Sequence, residues 1–238
     1  MKAALGMALP TKGLIGNTTH MSIGVVTVAY GDKYRAFLPR WVEAVNSLTI
    51  GPDEVTIVTD DLVDATMKTA DLHSLVRVIK TDRTHVHHPQ VYANEAVEAT
   101  GTEWICKMDV DDRIYPHAFD RLSDADCDVW MFGIRYCNKS LYAPAVTSEN
   151  IMTSPHNLVF SGSPYRKWLH EKATYRDMIY EDWMFWIDCA AQGARFCNSN
   201  TIDYEYVMHD DNISTRADDA YWQSVVRSLR DQHHNPNP

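Results

Sequence analysis

Residues Trp104 to Asp112, WICKMDVDD, decide the fold and indicate where the site lies. The first half of the stretch has the apolar composition of a buried β-strand, and the stretch ends in three carboxylates. In open α/β sheets, ligands bind in the crevice at the carboxyl ends of the strands. Carboxylates clustered there repel one another unless a cation lies between them. The stretch therefore predicts a divalent metal site that receives a phosphate-bearing ligand.

The Asp-x-Asp spacing occurs three times in the chain, as Asp109/Asp111, Asp124/Asp126 and Asp126/Asp128. Only the first copy ends an apolar strand. The other two lie in a polar run that is typical of a solvated turn. The position of the first copy, and not its spacing, therefore makes it the candidate site.

The bulk composition predicts an ordinary globular chain with an acidic surface. With 238 residues, of which 45% are hydrophobic, the chain is long enough for one domain with a sizeable core. Its net charge of −10 argues against a nonspecific nucleic-acid surface, which requires a basic footprint. No window reaches about 18 consecutive apolar residues, so no membrane span is expected.

The cysteines favour a reducing compartment. Their number is odd, none forms a Cys-x-x-Cys pair, and most lie in apolar or strand-like surroundings. We therefore interpret them as buried, reduced thiols of a cytoplasmic protein. The five cysteines are Cys106, Cys127, Cys137, Cys189 and Cys197.

Apolar β-branched runs alternate with helical patterns along the first half of the chain. This alternation predicts a parallel, Rossmann-like α/β sheet flanked by helices. Asp32 and Asp60 follow the first two strands, so they should share one rim of the sheet with the Asp109/Asp111 pair. The predicted strands are Ile23–Tyr30, Val55–Thr59, Leu75–Ile79 and Trp104–Met108.

The second half of the chain is less regular. A strand is predicted at Val129–Tyr136, a helix at Tyr180–Gln192, an extended segment at Arg195–Val207 and a final helix at Ala217–Leu229. We expect residues 1–20 to be a loose extension, 21–230 to form one domain and 231–238 to be a disordered tail. Within that domain, residues 22–112 form the expected donor-binding half and 113–230 the acceptor-binding half.

Taken in order, several blocks over residues 22–216 resemble GT-A-fold glycosyltransferases of the inverting family-2 type. Three departures stand out: the first strand lacks Pro-x-Tyr-Asn, the second block lacks Asp-Gly-Ser, and Gln-x-x-Arg-Trp is absent. The last departure favours transfer of one sugar over polymer synthesis. The blocks are Tyr30–Asp32, Thr59–Asp61, Ala93–Ala96 with Gly101–Trp104, Asp109–Asp112, Tyr180–Trp183 with Phe185 and Trp186, and His209–Ser214.

The resemblance implies a metal-dependent reaction at a nucleotide-diphosphate sugar. Asp111 would bind Mn²⁺ or Mg²⁺, Asp109 would hold the donor ribose or the metal's outer shell, and His209 would add a further ligand. Asp182 would be the general base that accepts the acceptor's proton. Structural roles remain open for both residues, since Asp182 can cap a helix and His209 can be an ordinary surface residue.

The same resemblance implies a donor-binding set on the first half of the chain. Tyr30 would stack on the donor base, and Asp60 would accept a hydrogen bond from its ring. Asp32, in the first nucleotide-binding loop, and Asn94 are further donor contacts. Arg216 would clamp the diphosphate. For Tyr30 and Asp60, an ordinary role at a strand end is equally open.

Two other functions fit an acidic rim of this kind. A sugar-phosphate nucleotidyltransferase uses the same sheet, but usually with a Gly-rich basic loop after the first strand, where this chain has only Gly31, Lys33 and Arg35. A non-catalytic module that binds nucleotide sugars would not require Asp182. The sequence does not specify whether the acceptor is a glycan, a lipid, a protein or a modified base, and the acidic charge argues against nucleic acid as a partner.

Overall fold

The computed structural model describes residues 21–81, 88–210, 212, 224 and 227. The strands are β1 (Ile23–Ala29), β2 (Glu54–Thr59), β3 (Leu75–Lys80), β4 (Trp104–Lys107), β5 (Arg113–Ile114), β6 (Val129–Tyr136), β7 (Lys139–Leu141), β8 (Tyr165–Arg166) and β9 (Phe196–Tyr206). The helices are α1 (Asp32–Arg35), α2 (Leu38–Asn46), α3 (Leu62–Lys68), α4 (Ala93–Ala99), α5 (Ser148–Thr153) and α6 (Glu181–Ala191).

One mixed sheet with flanking helices forms the body of the described chain. Its strand order is β3-β2-β1-β4-β8-β6-β9-β5, with β7 added on β6. The pairs β1–β2, β2–β3, β1–β4 and β6–β9 are parallel and contain most of the paired residues. The predicted α/β class is therefore confirmed, including the parallel arrangement of the first four strands.

Strand β1 lies at the centre of the first half because both of its faces are covered. All seven of its residues are buried. Val25 belongs to the core on one face of the sheet, whereas Val26 and Val28 belong to the core on the other face. An unbroken apolar run, rather than an alternating one, is what such a doubly covered strand requires.

The parallel register brings the polar strand ends to one rim. Ala29, the last residue of β1, pairs with Thr59, the last residue of β2, and Lys107 at the end of β4 pairs with Val26. The turns that follow these three strands therefore begin at the same edge. This edge holds both the Asp32/Asp60 group and the Asp109–Asp112 group, as the sequence predicts.

The second half extends the sheet and places α6 against it. The predicted strand at Val129–Tyr136 is confirmed as β6, while α5 lies in a segment where the sequence analysis predicts no helix. In α6, Trp183 and Trp186 are only 7% and 2% exposed. Their aromatic surfaces are therefore used in the core.

The prediction of five reduced, buried thiols is wrong. Cys127 and Cys197 form a disulfide that joins the residues at the start of β6 and β9, and Cys137 is exposed. Only Cys106 and Cys189 are free and buried. The two bonded cysteines are 70 positions apart, so their spacing gave no signal of the pairing. The cysteines therefore no longer support the predicted cytoplasmic location.

We expect Cys127→Ser to lower the free energy of unfolding by about 2–4 kcal/mol, because the disulfide closes a long segment of chain. Urea unfolding with and without dithiothreitol measures the effect, and mass spectrometry reports the oxidation state. Cys137→Ser is the control, since that cysteine is exposed and unbonded. Equal stability of Cys127→Ser and the oxidised wild type would contradict the disulfide.

Several predictions lie outside the described residues. They are the extension 1–20, the tail 231–238, the clamp Arg216 and most of the helix at 217–229. Within the described ranges, no helix has the length and apolar character needed to cross a membrane.

Candidate active site

The turn after β4 directs its carboxylates in two directions. The backbone N–H of Asp112 donates to the carbonyl of Asp109 at 3.2 Å and closes the turn. Asp112 points inward: it is 1% exposed and its Oδ1 accepts a hydrogen bond from the Val207 N–H at 2.9 Å. Asp109 and Asp111 remain partly exposed. The inner carboxylate therefore fixes the turn, while the other two keep part of their surface exposed.

A cavity of about 540 Å³ opens beside this turn. Among the described residues, its lining contains carboxyl groups from two separate parts of the chain, the β4 turn and the start of α6. The fold brings together two groups that are about 70 positions apart in the sequence. The carboxyl groups are those of Asp109, Asp111, Asp112, Glu181 and Asp182.

Lys107 links the two acidic groups. Its Nζ lies 2.7 Å from Asp109 Oδ1 and 2.9 Å from Glu181 Oε1, and its side chain is 4% exposed. Burial disfavours the charged lysine, but the two carboxylates outweigh it and raise the pKa of Lys107. The second oxygen of Asp109 accepts a hydrogen bond from Ser161 at 2.9 Å. Asp109 is therefore held from the protein side at both oxygens.

Asp182 lies in the first turn of α6, within the cavity. Its Oδ2 accepts a hydrogen bond from Asn157 at 3.1 Å and its Oδ1 accepts one from the backbone N–H of Trp183 at 2.8 Å. Burial, followed by the charge of Glu181, raises the pKa of Asp182 to about 7, although Lys107 opposes the rise. A carboxyl group with this pKa can take up a proton at neutral pH.

The chain enters α6 through an unusual backbone conformation. Tyr180 has φ 62° and ψ 33°, in the left-handed region that residues other than glycine rarely occupy. Tyr180, Glu181 and Asp182 all line the cavity. Strained backbone of this kind is concentrated at binding and catalytic sites, where it orients a functional side chain. No pattern in the sequence predicts this conformation.

Asp111 and His209 meet across 98 positions of sequence, with Oδ2 and Nε2 2.8 Å apart. Burial and the neighbouring Asp109 raise the pKa of Asp111, while the contact with His209 acts in the opposite direction. The backbone carbonyl of Asp111 accepts a hydrogen bond from Arg40. The structure thus brings together the two residues predicted as metal ligands.

The chemistry of this pair fits a divalent cation. One carboxylate and one imidazole are a donor set that suits Mn²⁺, and a cation there would relieve the repulsion between Asp111 and Asp109. In the part of the chain that is described, no three His, Cys, Asp or Glu side chains form a metal-binding cluster. Among the described residues, Asp111 and His209 are therefore the pair that could hold such a cation.

A second acidic group lies on the same rim, after β1 and β2. Asp60 accepts a hydrogen bond from the Gly31 N–H at 2.9 Å and pairs with the buried Arg35, which also contacts Asp32 and Asp64. Although burial acts in the opposite direction, the hydrogen bonds from Gly31 and Arg35 lower the pKa of Asp60. Gly31 has φ 83°, a conformation that favours glycine at this turn.

We expect Arg35→Met to lower the free energy of unfolding by about 1–3 kcal/mol, because a buried guanidinium and its hydrogen bonds to Asp60 and Asp64 are lost. Chemical denaturation measures the change. Arg121→Met is the matched control, since that side chain is 61% exposed and its nearest carboxylate oxygen lies at 4.0 Å. Equal stability of the two variants would contradict an organising role for Arg35.

The other described residues predicted to contact the donor do not line the cavity. Tyr30 packs on Tyr92 with ring centroids 5.5 Å apart. The Asn94 side chain holds the backbone of Tyr175 through two hydrogen bonds, of 2.8 and 2.9 Å. Tyr30, Asp32, Asp60 and Asn94 are not among the residues that line the cavity. In the structure Asn94 has a packing role, and its proposed contact with a donor stays a prediction.

Sequence reasoning missed or undervalued several residues that the fold brings to the site. Lys107 gives only a weak signal in the sequence, a charge inside an apolar strand. Asn157 and Ser161 lie in an irregular segment with no periodic pattern. Tyr204, whose hydroxyl accepts the Asp109 N–H at 3.1 Å, looks like an ordinary strand residue. Only tertiary contacts identify these residues.

The family model described as Glycosyl transferase family 2 matches residues 24–189 of the chain. The match covers nearly all of β1, the carboxylate turn after β4, and nearly all of α6. Comparison with curated proteins finds no match.

Solved glycosyltransferase structures resemble the fold at low sequence identity. TarS 1–349 of S. aureus in complex with UDP-GlcNAc has a TM-score of 0.68 and 16% identity, covering 90% of this chain and 70% of that one. The mannosyltransferase PcManGT from Pyrobaculum calidifontis in complex with GDP-Man and Mn²⁺ has a TM-score of 0.62 and 13% identity, covering 89% and 65%. The chain spans about two thirds of ligand-free TarS 1–349 and 42% of the longer TarS structure.

Proposed function

Because the chain belongs to glycosyl transferase family 2, we propose that it transfers one sugar from a nucleotide-diphosphate sugar to an acceptor hydroxyl group. The proposed reaction is metal-dependent and inverts the anomeric centre, with Asp182 as the general base. The observation that carries the proposal is the position of Asp182. It faces the same cavity as Asp109 and Asp111, and burial raises its pKa to about 7.

A nucleotide-diphosphate sugar is the donor that best explains the acidic rim. The turns after β1, β2 and β4 provide hydrogen-bond acceptors at the carboxyl ends of parallel strands, where open α/β sheets bind nucleotides. TarS and PcManGT were solved with UDP-GlcNAc and GDP-Man respectively, which makes both sugars suitable first donors. Asp60 with Gly31 would recognise the nucleoside, and Tyr30 would pack on its base.

In the proposed step, the acceptor oxygen forms a bond to the anomeric carbon of the donor sugar. The bond from that carbon to the phosphate oxygen breaks, and its electron pair leaves with the nucleoside diphosphate. The acceptor proton passes to Asp182, which Asn157 and the Trp183 N–H orient. Attack from the side opposite the leaving group inverts the configuration.

Asp111 and His209 would hold the cation. When bound, a divalent cation neutralises the charge that develops on the departing diphosphate. Asp109 is already held by Lys107 and Ser161, so an outer-shell or ribose contact suits it better than direct coordination. Lys107 keeps this acidic turn close to α6 and limits the repulsion between Asp109 and Glu181.

The release of nucleoside diphosphate tests the proposal. Purified protein is incubated with UDP-GlcNAc or GDP-mannose and MnCl₂, and the products are analysed by chromatography with and without EDTA. We expect slow, EDTA-sensitive release of UDP or GDP without an acceptor. Production of pyrophosphate from a nucleoside triphosphate and a sugar phosphate would instead support a nucleotidyltransferase. Donor binding without turnover, unchanged in Asp182→Asn, would support a binding module.

A further inference from the structure

One part of the cavity lining comes from three adjacent strands of the second half. Ile134 in β6 pairs with Leu141 in β7 on one side and with Tyr204 in β9 on the other, and Tyr136 pairs with Tyr206. Alternate residues of a strand share one face of the sheet. These five side chains therefore form a continuous surface, and all of them line the cavity.

This surface, which we call the tyrosine wall, is apolar apart from the hydroxyl groups of its three tyrosines. Ile134 and Tyr204 are buried at its base, whereas Tyr136 and Leu141 are each 39% exposed. The rings of Tyr136 and Tyr206 lie with centroids 5.6 Å apart. A partly exposed tyrosine pair offers a flat apolar face together with polar groups at the rim. This combination matches a sugar ring, which has C–H groups on its faces and hydroxyl groups around its edge.

The charge of the cavity disfavours an anionic acceptor at the wall. Five carboxyl groups line the cavity, and the described part of its lining contains no lysine or arginine. Like charges in a partly buried site repel strongly. An acceptor that carries a phosphate or carboxylate would meet this repulsion inside the cavity, because Lys139, which pairs with Tyr136 on the same face of the sheet, does not line it. The wall therefore favours an uncharged acceptor.

We propose that the acceptor is an uncharged glycan whose terminal sugar ring packs against the tyrosine wall. This inference rests on the proposed transfer reaction and names the acceptor class for it. With its ring on Tyr136 and Tyr206, the sugar lies in the same cavity as Asp182. One of its hydroxyl oxygens forms the new bond to the donor's anomeric carbon, while the proton of that hydroxyl passes to Asp182. The electron pair of the broken bond leaves with the nucleoside diphosphate.

Binding of neutral oligosaccharides tests the acceptor class independently of turnover. Saturation-transfer NMR is recorded with chitotriose, cellotriose and mannotriose, and with glucose 6-phosphate and a polyprenyl phosphate in detergent micelles as anionic probes. We expect a neutral trisaccharide to bind and the anionic probes to bind more weakly or not at all. Tighter binding of an anionic probe, or no binding of any neutral sugar, would overturn the inference.

Variants of the wall test its position. We expect Tyr136→Ala to weaken binding of the neutral trisaccharide, and to raise the acceptor KM, by about tenfold, equivalent to the loss of a single good aromatic contact. Tyr142→Ala is the matched control: it lies next to Leu141, is 62% exposed and does not line the cavity. Tyr136→Phe keeps the ring and should retain most of the affinity. Equal binding by Tyr136→Ala and Tyr142→Ala would refute the role of the wall.

The two proposals fail in distinguishable ways. Release of nucleoside diphosphate without binding of any neutral glycan would leave a glycosyltransferase with a different acceptor. Glycan binding that depends on Tyr136, without release of nucleoside diphosphate from any donor, would refute the proposed transfer and retain the glycan site. Stimulation of donor turnover by a neutral trisaccharide supports both.

Discussion

Asp182→Asn is expected to lower the rate of sugar transfer by about 10²–10⁴-fold, the usual contribution of a positioned general base. An asparagine keeps the size of the side chain and its carbonyl oxygen, so the hydrogen bond from the Trp183 N–H remains possible. It cannot accept the acceptor's proton. Transfer is measured as nucleoside diphosphate released in the presence of an acceptor, and donor binding is measured by calorimetry.

The matched control for this variant is Asp188→Asn in the same helix. Asp188 is 7% exposed and pairs with Arg176 at 2.7 Å, but it does not line the cavity. Asp188→Asn should therefore lower stability without a loss of transfer comparable to that of Asp182→Asn. If both variants lose activity to the same extent, the effect comes from helix α6 as a whole, and Asp182 is not the base.

The pH dependence of transfer follows from the same group. The reaction requires the ionised form of Asp182, and burial raises its pKa to about 7. The wild-type rate should therefore rise as the pH increases from about 6 to about 8, with a midpoint near the pKa of Asp182. The rate of Asp182→Asn should not rise with pH over this range. A wild-type rate that is flat between pH 5 and pH 8 would contradict the assignment.

As the pH rises, the stability of the wild-type protein should fall while its transfer activity increases. The pKa of Asp182 is raised in the folded state, so between about pH 4 and pH 7 the folded protein retains a proton that the unfolded chain has lost. The stability that comes from the neutral carboxyl group is therefore lost as the pH rises through this window. Asp182→Asn removes the cost of ionising a buried carboxyl group. At pH 8 its free energy of unfolding should therefore exceed that of the wild type by on the order of 1 kcal/mol or more.

How much of the site follows from the sequence depends on how local its determinants are. The strand at Trp104–Lys107 and the rim that carries Asp60 and Asp109 follow from apolar runs and parallel order, which are local patterns with a known topological consequence. The contact between Asp111 and His209 was anticipated only through resemblance to a family. Periodic patterns in the sequence cannot predict a contact between residues that are 98 positions apart.

Other determinants depend on contacts that no local pattern encodes. The Cys127–Cys197 bond requires β6 and β9 to be parallel neighbours, which in turn requires the whole second half of the sheet. Lys107 breaks the pattern of an apolar strand, and the fold compensates by pairing it with Glu181 of α6 as well as with Asp109. Tertiary pairing compensates for a residue that breaks the local pattern, and such residues are concentrated at functional sites.

The second large effect is expected for Asp111→Asn, which should weaken manganese-dependent donor binding by about a hundredfold or more. The amide keeps the shape of the side chain, so the turn after β4 and the contact with His209 can persist. It removes the negative charge that holds a hard cation. Titration calorimetry with UDP-GlcNAc or GDP-mannose, with MnCl₂ or with EDTA, measures the loss.

The chain provides its own control for this variant. Asp124→Asn alters another copy of the Asp-x-Asp spacing, where the Asp124 side chain is 69% exposed and lies outside the cavity. It should bind donor and manganese as the wild type does.

Without metal, Asp111→Asn should also be more stable than the wild type, because burial and Asp109 raise the pKa of Asp111 and its ionised form is repelled. A more stable protein that no longer binds the donor with manganese would show that this carboxylate is retained for the cation. Undiminished manganese-dependent binding in Asp111→Asn would rule out Asp111 as a metal ligand.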